Sequence, residues 1–231
     1  MAADEVSDDK QTCWTMIADA ATGDREARSR FCRSYLPLVR AYLGERWRHG
    51  PLAQQVDDAA QEVMIECLSS NGPVERADIE RPGGFRAFLL GVVRHIAQRF
   101  ERRVGTDRLL VGESTAIREA PAREDALSQV FDRQWALALM EEARVLMEEN
   151  ARLAGDTGWQ RVELLNLRFG KGLPVREIAA RWGVDADSVH RAYAKAREDF
   201  RACLRRVVAF HAVRSEPDLD AEVSRVLAAL E

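Results

Sequence analysis

The sequence predicts an all-α fold, arranged as two helical domains joined by a flexible linker. Apolar residues recur every three to four positions along nearly the whole chain, which is the periodicity of amphipathic helices. No segment sustains the period-two alternation of β-branched residues that is typical of strands. Glycine and proline interrupt the helical pattern and therefore mark the expected ends of the helices.

The first predicted domain covers residues 1–103 and contains a run of helices. The segment Thr22-Gly23-Asp24 is expected to end one helix and to cap the next. Pro37 lies inside that next helix and is expected to bend it. A long loop rich in Gly, Pro, Asn and Ser precedes the last helix of the domain. The helices of this domain are predicted over about 12–21, 24–47, 56–68 and 85–103.

Residues 104–123 are predicted to form the linker, because glycine, proline and scattered charges replace the apolar repeat there. Helical periodicity returns after this stretch and predicts a second helical domain over residues 124–208. A last short helix, over about 219–230, is expected within a C-terminal extension formed by residues 209–231.

The composition is that of a soluble globular protein, and we expect a cytoplasmic one. The 231 residues are 46% apolar and 31% charged, and no apolar run reaches the length of a membrane span. The polar start MAADEVSDDK does not resemble a signal peptide. Four separated cysteines without a CxxC pair predict reduced thiols and no metal site.

The segment PVREIAARWGVDADSVHRAYAKAREDF, residues 174–200, has the pattern of two helices joined by a tight turn. Pro174 stands at a helix start, where its missing N–H costs no hydrogen bond. Gly183 ends the first helix, and the second begins near Ala186. This is the spacing of a helix-turn-helix, whose second helix enters the DNA major groove. The shared core of the pair is expected to contain Ile178, Val184 and Val189.

The outward face of that second helix carries side chains that can hydrogen-bond to base edges or phosphates. The candidates for DNA contact are Ser188, His190, Arg191 and Lys195. A plain helical hairpin with a solvated basic face is the alternative interpretation, because short motif matches also arise by chance.

The helix predicted over 85–103 has an apolar face and an opposite polar face. The polar face repeats Arg94, Gln98 and Arg102 at successive turns, a line that could follow a phosphate backbone and read bases. A solvated surface helix without a ligand has the same pattern, and this segment taken alone favours that interpretation.

The helix predicted over 56–68 presents an isoleucine among acidic and polar side chains. The outward residues are Asp58, Gln61, Glu62 and Ile65. An exposed isoleucine ringed by acids indicates a docking face for a basic partner. The alternative is that a neighbouring helix or loop covers Ile65.

No enzymatic motif is found in the sequence, and no active site or cofactor is predicted. The patterns GxxxxGK[ST], HExxH and GxSxG do not occur, and the four histidines lie on separate predicted elements. The net charge of −4 is unusual for a protein that holds DNA by itself through phosphate contacts. DNA binding would therefore need local basic faces or the help of a larger partner.

Three segments, in their order along the chain, resemble a bacterial RNA polymerase sigma factor of the small, two-domain extracytoplasmic-function (ECF) group. They are DDAAQEVMIECL, FRAFLLGVVRHIAQRFERR and ELLNLRFGKGLPVREIAARWGVDADSVHRAYAKAREDF. The resemblance covers about residues 31–206, and the combination is more specific than any single motif. It implies a non-catalytic subunit that binds core RNA polymerase and directs it to promoter DNA.

The resemblance also implies roles for the candidate residues. Docking on the β′ clamp helices of the polymerase would involve Asp58, Gln61, Glu62 and Ile65, with the β flap as a second polymerase contact. The downstream (minus ten) promoter element would be contacted by Arg94, Gln98 and Arg102, and the loop before Phe85 would hold an unpaired base. The upstream (minus thirty-five) element would be contacted by Ser188, His190, Arg191 and Lys195. Packing of the two domains on each other, or binding of an anti-sigma factor or another inhibitor, would hide the basic faces until release.

Two other functions are compatible with the same patterns. The first is a stand-alone helix-turn-helix regulator that binds an operator without polymerase, which predicts salt-dependent DNA binding by the free chain. The second is a helical adaptor without any DNA contact, which predicts that Arg191→Ala and Lys195→Ala change nothing.

Overall fold

The computed structural model describes residues 13–69, 72–73, 84–110, 121–212 and 216–230. In these ranges all regular structure is helical and no strand is present, which confirms the predicted all-α class. The α-helices are α1 (Cys13–Ala21), α2 (Arg25–Arg46), α3 (Val56–Leu68), α4 (Gly84–Leu110), α5 (Pro121–Ala154), α6 (Asp156–Leu165), α7 (Val175–Trp182), α8 (Ala186–Ala212) and α9 (Glu216–Ala228). A 3₁₀ turn (Ala53–Gln55) precedes α3, and a π-helical turn (Asn166–Gly170) follows α6.

The N-terminal helices begin and end close to the predicted positions because local capping chemistry sets their ends. Asp24 caps α2, and its Oδ1 accepts a hydrogen bond from the Ala27 amide at 2.7 Å. Pro37 lies inside α2, as the sequence requires. Helix α3 covers the range predicted for it and carries two aspartates in its first turn, where the helix dipole favours negative charge.

The structure is helical at both ends of the stretch that was predicted to be a linker. Helix α4 continues to Leu110 and α5 begins at Pro121, so 104–110 and 121–123 are helical, while 111–120 lie outside the described residues. A single glycine costs a helix only about 1 kcal/mol, so Gly105 is too weak a signal to end α4. A proline in the first turn removes no helical hydrogen bond, so Pro121 is compatible with the start of α5.

The described residues form two compact units whose boundaries differ from the predicted domain boundaries. The first unit contains the residues up to Ala138 together with those from Ala209 onward, and the second contains Leu139–Val208. The first half of α5 thus belongs with the N-terminal helices, although the sequence assigned it to the second domain. The predicted C-terminal extension, including α9, also belongs to the first unit.

The core of the first unit is built from the apolar faces of α1, α2, α3, α4, α5 and α9. Helix α2 carries a buried apolar stripe, which comprises Phe31, Tyr35, Leu38, Val39 and Tyr42. Helices α5 and α9 add Leu127, Phe131, Trp135, Leu219, Val223 and Val226. Aromatic rings meet in this core: the rings of Tyr35 and Trp135 stack at 5.9 Å, and the hydroxyl of Tyr35 lies 3.0 Å from Nδ1 of the buried His211.

The second unit contains its own small core around α7. Leu164, Leu167, Ile178, Ala179 and Val189 are buried together, and Trp182 and Tyr193 pack partly against them. Leu167 belongs to the π-helical turn, so the widened turn supplies part of the core. This core fixes the geometry of α7 and of the start of α8. The candidate DNA-contacting residues lie on α8.

Candidate nucleic-acid and protein interfaces

Helices α7 and α8 are joined by a three-residue turn of defined geometry. Gly183 adopts a left-handed conformation (φ +66°), which a residue with a side chain would enter only under strain. The amide of Val184 donates to the Ala179 carbonyl at 3.1 Å, which closes the end of α7. Asp185 then begins α8, since its Oδ1 accepts from the Ser188 amide at 2.8 Å.

The core beneath this turn differs from the sequence prediction at one position. Ile178 and Val189 are buried as expected, but Val184 is 44% exposed, so its assignment to the core was wrong. The tight turn directs Val184 outward because its backbone is committed to capping α7. Leu164 and Leu167, which the sequence reading did not assign to this core, lie there instead.

The side chains of His190, Arg191 and Lys195 are exposed on one face of α8, as the sequence predicted. Their described polar partners lie within four residues on α8 itself. Nη2 of Arg191 donates to Ser188 Oγ at 2.9 Å, and Nζ of Lys195 lies 3.4 Å from both Glu198 and Asp199 carboxylates. Hydrogen bonds to these two acids raise the pKa of Lys195. Exposed pairs of this kind are weak, so a phosphate could replace them.

Ser188 lies on this face and also stabilises the start of α8. Its hydroxyl donates to Asp185 Oδ2 at 2.6 Å and accepts from Arg191. The hydrogen bonds from the Ser188 hydroxyl and amide lower the pKa of Asp185. Ser188 therefore supports the Asp185 cap through two hydrogen bonds. Only one acceptor site of its hydroxyl stays open to a ligand.

A cluster of aromatic and basic residues on the second unit was not assigned from the sequence. Arg168 and Arg197 lie over the ring of Tyr193, at 5.7 and 5.8 Å from its centroid. Phe169 is 72% exposed and its ring lies 6.2 Å from that of Tyr193. Phe169 sits on the π-helical turn, and a local widening of the helix has no sequence signature that periodicity could reveal.

On α4, the predicted line of DNA-contacting residues is split. Gln98 and Arg102 are exposed, with His95 beside them. Arg94 is turned toward α5, where its Nη2 donates to Ser128 Oγ at 2.7 Å and its Nε lies 3.2 Å from Glu124 Oε2. The expectation that Arg94 shares an open face with Gln98 and Arg102 was wrong. Each four-residue step rotates the face by about 40°, so Arg94 lies at its edge, which α5 covers.

Below this edge lies a buried ion network that the sequence did not reveal. Arg46 is 1% exposed; it donates to Glu101 from Nε at 2.7 Å and from Nη2 at 3.1 Å, and to Glu124 from Nη1 at 2.7 Å. Trp47 Nε1 also donates to Glu101, at 2.8 Å. Burial lowers the pKa of Arg46, but the hydrogen bonds to both carboxylates outweigh it and raise that pKa overall. The network ties α2, α4 and the start of α5 together.

The candidate docking face on α3 is open at its centre and partly neutralised at its edge. Ile65 is 68% exposed, so no described helix or loop covers it, and Asp58 and Gln61 are also exposed. Glu62 forms an ion pair with Arg99 of α4, and Glu66 lies 3.7 Å from the same guanidinium group. The acidic character of the face thus rests on Asp58 more than on Glu62.

The cysteines and the possible metal ligands bear on other functions. Cys32, Cys67 and Cys203 are free thiols, and burial raises the pKa of Cys67 to about 12, which makes it a poor nucleophile near neutral pH. The described side chains contain no group of His, Cys, Asp or Glu residues placed to hold a metal ion. None of the described helices is long and apolar enough to cross a membrane.

The loop residues 74–83, expected to hold an unpaired base, lie outside the described residues.

Comparison with known proteins leaves the chain without an assigned family. No family model, no curated protein sequence and no solved structure matches it.

Proposed function

We propose that this protein is a sigma factor of the ECF type, a dissociable subunit that binds core RNA polymerase and directs transcription initiation. In this proposal α7 and α8 are a helix-turn-helix that contacts the upstream promoter element. The observation that carries the proposal is the separation of surfaces: an exposed Ile65 beside acids on α3, and exposed basic residues on α8. A mildly acidic chain with such faces suits a subunit whose partner supplies most of the affinity for DNA.

The roles on the two DNA-contacting helices follow from exposure. On α8, His190, Arg191 and Lys195 are available to the upstream element, and Ser188 supports them through the cap. On α4, the exposed Gln98 and Arg102 would contact the downstream element. Arg94 can join them only when its bonds to α5 are broken.

The polymerase contact is assigned to the centre of the α3 face. Ile65 supplies exposed apolar surface, and Asp58 and Gln61 supply a polar rim around it. This is the layout of an interface with an apolar anchor and hydrogen-bonding surroundings. Glu62 contributes less freely, because Arg99 already binds it.

A pull-down of purified core RNA polymerase tests the proposal. The full chain is compared with Ile65→Glu and with a matched control, Leu153→Glu, which changes a 90% exposed leucine of the second unit. We expect capture by the wild type and by the control, and at least a tenfold loss for Ile65→Glu, since a charge on an interface anchor costs more than about 1.4 kcal/mol. If the wild type fails to capture polymerase, the sigma-factor proposal is wrong.

A stand-alone DNA-binding regulator is the second candidate function. The observation that favours it is the exposure of Arg191 and Lys195, whose described partners are confined to α8 itself. This function predicts that the free chain binds duplex DNA with a steep salt dependence and that Ile65→Glu leaves that binding unchanged. A helical adaptor without DNA contact would show neither DNA binding nor an effect of Arg191→Ala.

A further inference from the structure

Two ion pairs join α4 and α5 within the first unit, and they are in register. Arg86 pairs with Asp132, and Arg94 pairs with Glu124. The two arginines are eight positions apart on α4, and the two acids are eight positions apart on α5. The earlier arginine pairs with the later acid, and the later arginine pairs with the earlier acid. The first half of α5 therefore lies antiparallel to α4 and places a carboxylate against each of these guanidinium groups.

Arg94 is held by more than one bond. Its Nη2 donates to Ser128 Oγ, and that hydroxyl in turn donates to the Glu124 carbonyl at 2.8 Å. The other carboxylate oxygen of Glu124 accepts from the buried Arg46 at 2.7 Å. Glu124 is thereby fixed from two sides, so it presents a positioned anion to Arg94.

We propose that the start of α5 is a gate on the nucleic-acid face of α4, with Glu124 and Ser128 occupying the guanidinium of Arg94 in place of a phosphate. This inference rests on the proposed function of α4 as a nucleic-acid-contacting helix. The guanidinium of Arg94 donates from Nη2 to Ser128 and pairs its charge with Glu124, so a phosphate has to displace the serine and compete with the carboxylate for that charge. Binding by the full α4 face, Arg94 with Gln98 and Arg102, therefore competes with the first two turns of α5.

The opening is confined to the start of α5. Beyond Ser128, Phe131 packs against Tyr42 and Trp135 packs against Tyr35, each with ring centroids 5.9 Å apart. These buried rings hold the remainder of the half-helix in place. The preceding turns expose Asp125 and are anchored by Leu127, Glu124 and Ser128. Release of the Glu124 and Ser128 side chains frees Arg94, while Leu127 and the aromatic rings stay buried.

The test measures binding of a fluorescein-labelled single-stranded DNA of mixed sequence to the full chain by anisotropy at low salt. Every protein carries Arg191→Ala and Lys195→Ala, so that the signal reports on α4 and not on α8. The gate variant is Glu124→Gln/Ser128→Ala, in which the glutamine oxygen still accepts from Arg46. Asp125→Asn is the matched control, since it removes the same charge from the same turn without touching Arg94. Circular dichroism verifies that each variant is folded, and Ser128→Ala alone is a milder version of the gate variant.

The gate variant is expected to bind about three- to fivefold more tightly than the parent, the size of a partly exposed ion pair. The slope of log affinity against log salt is expected to steepen by about one, because one more phosphate is neutralised. Both effects should vanish in an Arg94→Gln background, and Asp125→Asn should show neither. Ser128→Ala alone should give a smaller gain, about twofold.

The outcomes separate the gate from the function on which it rests. If Arg102→Gln weakens binding but the gate variant binds like its parent, α4 contacts nucleic acid and the gate is wrong. A gain that persists with Arg94→Gln also overturns the gate, because the effect then does not pass through Arg94. If neither Arg102→Gln nor the gate variant changes binding, the downstream contact in the proposed function fails together with the gate.

Discussion

Helices α4 and α8 are both 27 residues long and both carry several arginines, yet they use them differently. On α4, three arginines are bound to acids of other helices: Arg86 to Asp132, Arg94 to Glu124 and Arg99 to Glu62. On α8, the exposed Arg191 and Lys195 bind partners within four residues on the same helix. Whether a basic side chain on a helix is held or stays exposed thus depends on whether a neighbouring helix supplies an acid for it.

The difference has an energetic basis. A pair formed within one exposed helix contributes about 0.3–0.5 kcal/mol, so a ligand displaces it easily. A pair that joins two helices and is partly buried is held by the packing around it, and breaking it leaves a charge poorly solvated. The three paired arginines of α4 thus stabilise the first unit, while Arg191 of α8 is exposed and held only by a pair within its own helix.

The largest expected effect is on the unfolding free energy, and it comes from the aromatic core of the first unit, which contains α4. Trp135→Ala removes the ring that stacks on Tyr35 and meets Phe85 and His211, so we expect the unfolding free energy to fall by about 3–5 kcal/mol. Denaturant unfolding monitored by circular dichroism measures it. Trp159→Ala, at a 43% exposed position of the second unit, is the control and should cost less than about 1 kcal/mol. Equal losses for the two variants would show that the first unit does not depend on this core.

The buried network should give the next largest effect. Arg46→Met leaves Glu101 and Glu124 without their buried cation, and we expect a loss of about 2 kcal/mol, below the value for fully buried pairs because both acids are partly exposed. Thermal and urea unfolding measure this loss. Arg48→Met breaks an exposed pair with Glu45 and should change stability by less than about 0.5 kcal/mol. A loss no larger than that of Arg48→Met would mean that the network does not tie α5 to the unit.

The third prediction compares the effects on DNA affinity of substituting Arg191 of α8, which is exposed, and Arg99 of α4, which is paired with Glu62. In polymerase complexes on promoter duplex, Arg191→Ala should weaken the upstream contact by about 1–2 kcal/mol and lower the salt slope by about one. Arg99→Ala removes an arginine already bound to Glu62, so it should leave DNA affinity unchanged within error. Competition binding at several salt concentrations measures both. Equal weakening by the two substitutions would remove the distinction between the helices.

The smallest effect concerns the cap that orients the α8 face. Because hydrogen bonds from Ser188 lower the folded-state pKa of Asp185, the ionised cap stabilises the fold above the ordinary aspartate pKa. That stabilisation is lost as pH falls through the lowered pKa. Asparagine also caps a helix but does not titrate, so the Tm of wild type relative to Asp185→Asn should decline from about pH 6 to about pH 3. A Tm difference that stays constant over this range would contradict the role of the ionised cap.

Local sequence was sufficient where the chemistry is local. The sequence indicated the Asp24 cap, the apolar stripe of α2 and the helix end at Gly183, because each depends on residues within one or two turns. The exposure of His190, Arg191 and Lys195 followed from the same helical periodicity. For Ile65, the sequence did not decide whether the side chain is exposed or covered by a neighbouring helix or loop.

Tertiary structure alone decided which charged groups are free. Arg46 and Arg94 look like their solvent-exposed neighbours in the sequence, and their partner Glu124 lies on another helix, 78 positions from Arg46 and 30 from Arg94. Nothing in the local pattern of α4 indicates that α5 covers its edge, or that the segment from Ala209 onward returns to the first unit. Helix periodicity reports which face of a helix is apolar, whereas the neighbour that a polar side chain meets depends on how the helices pack.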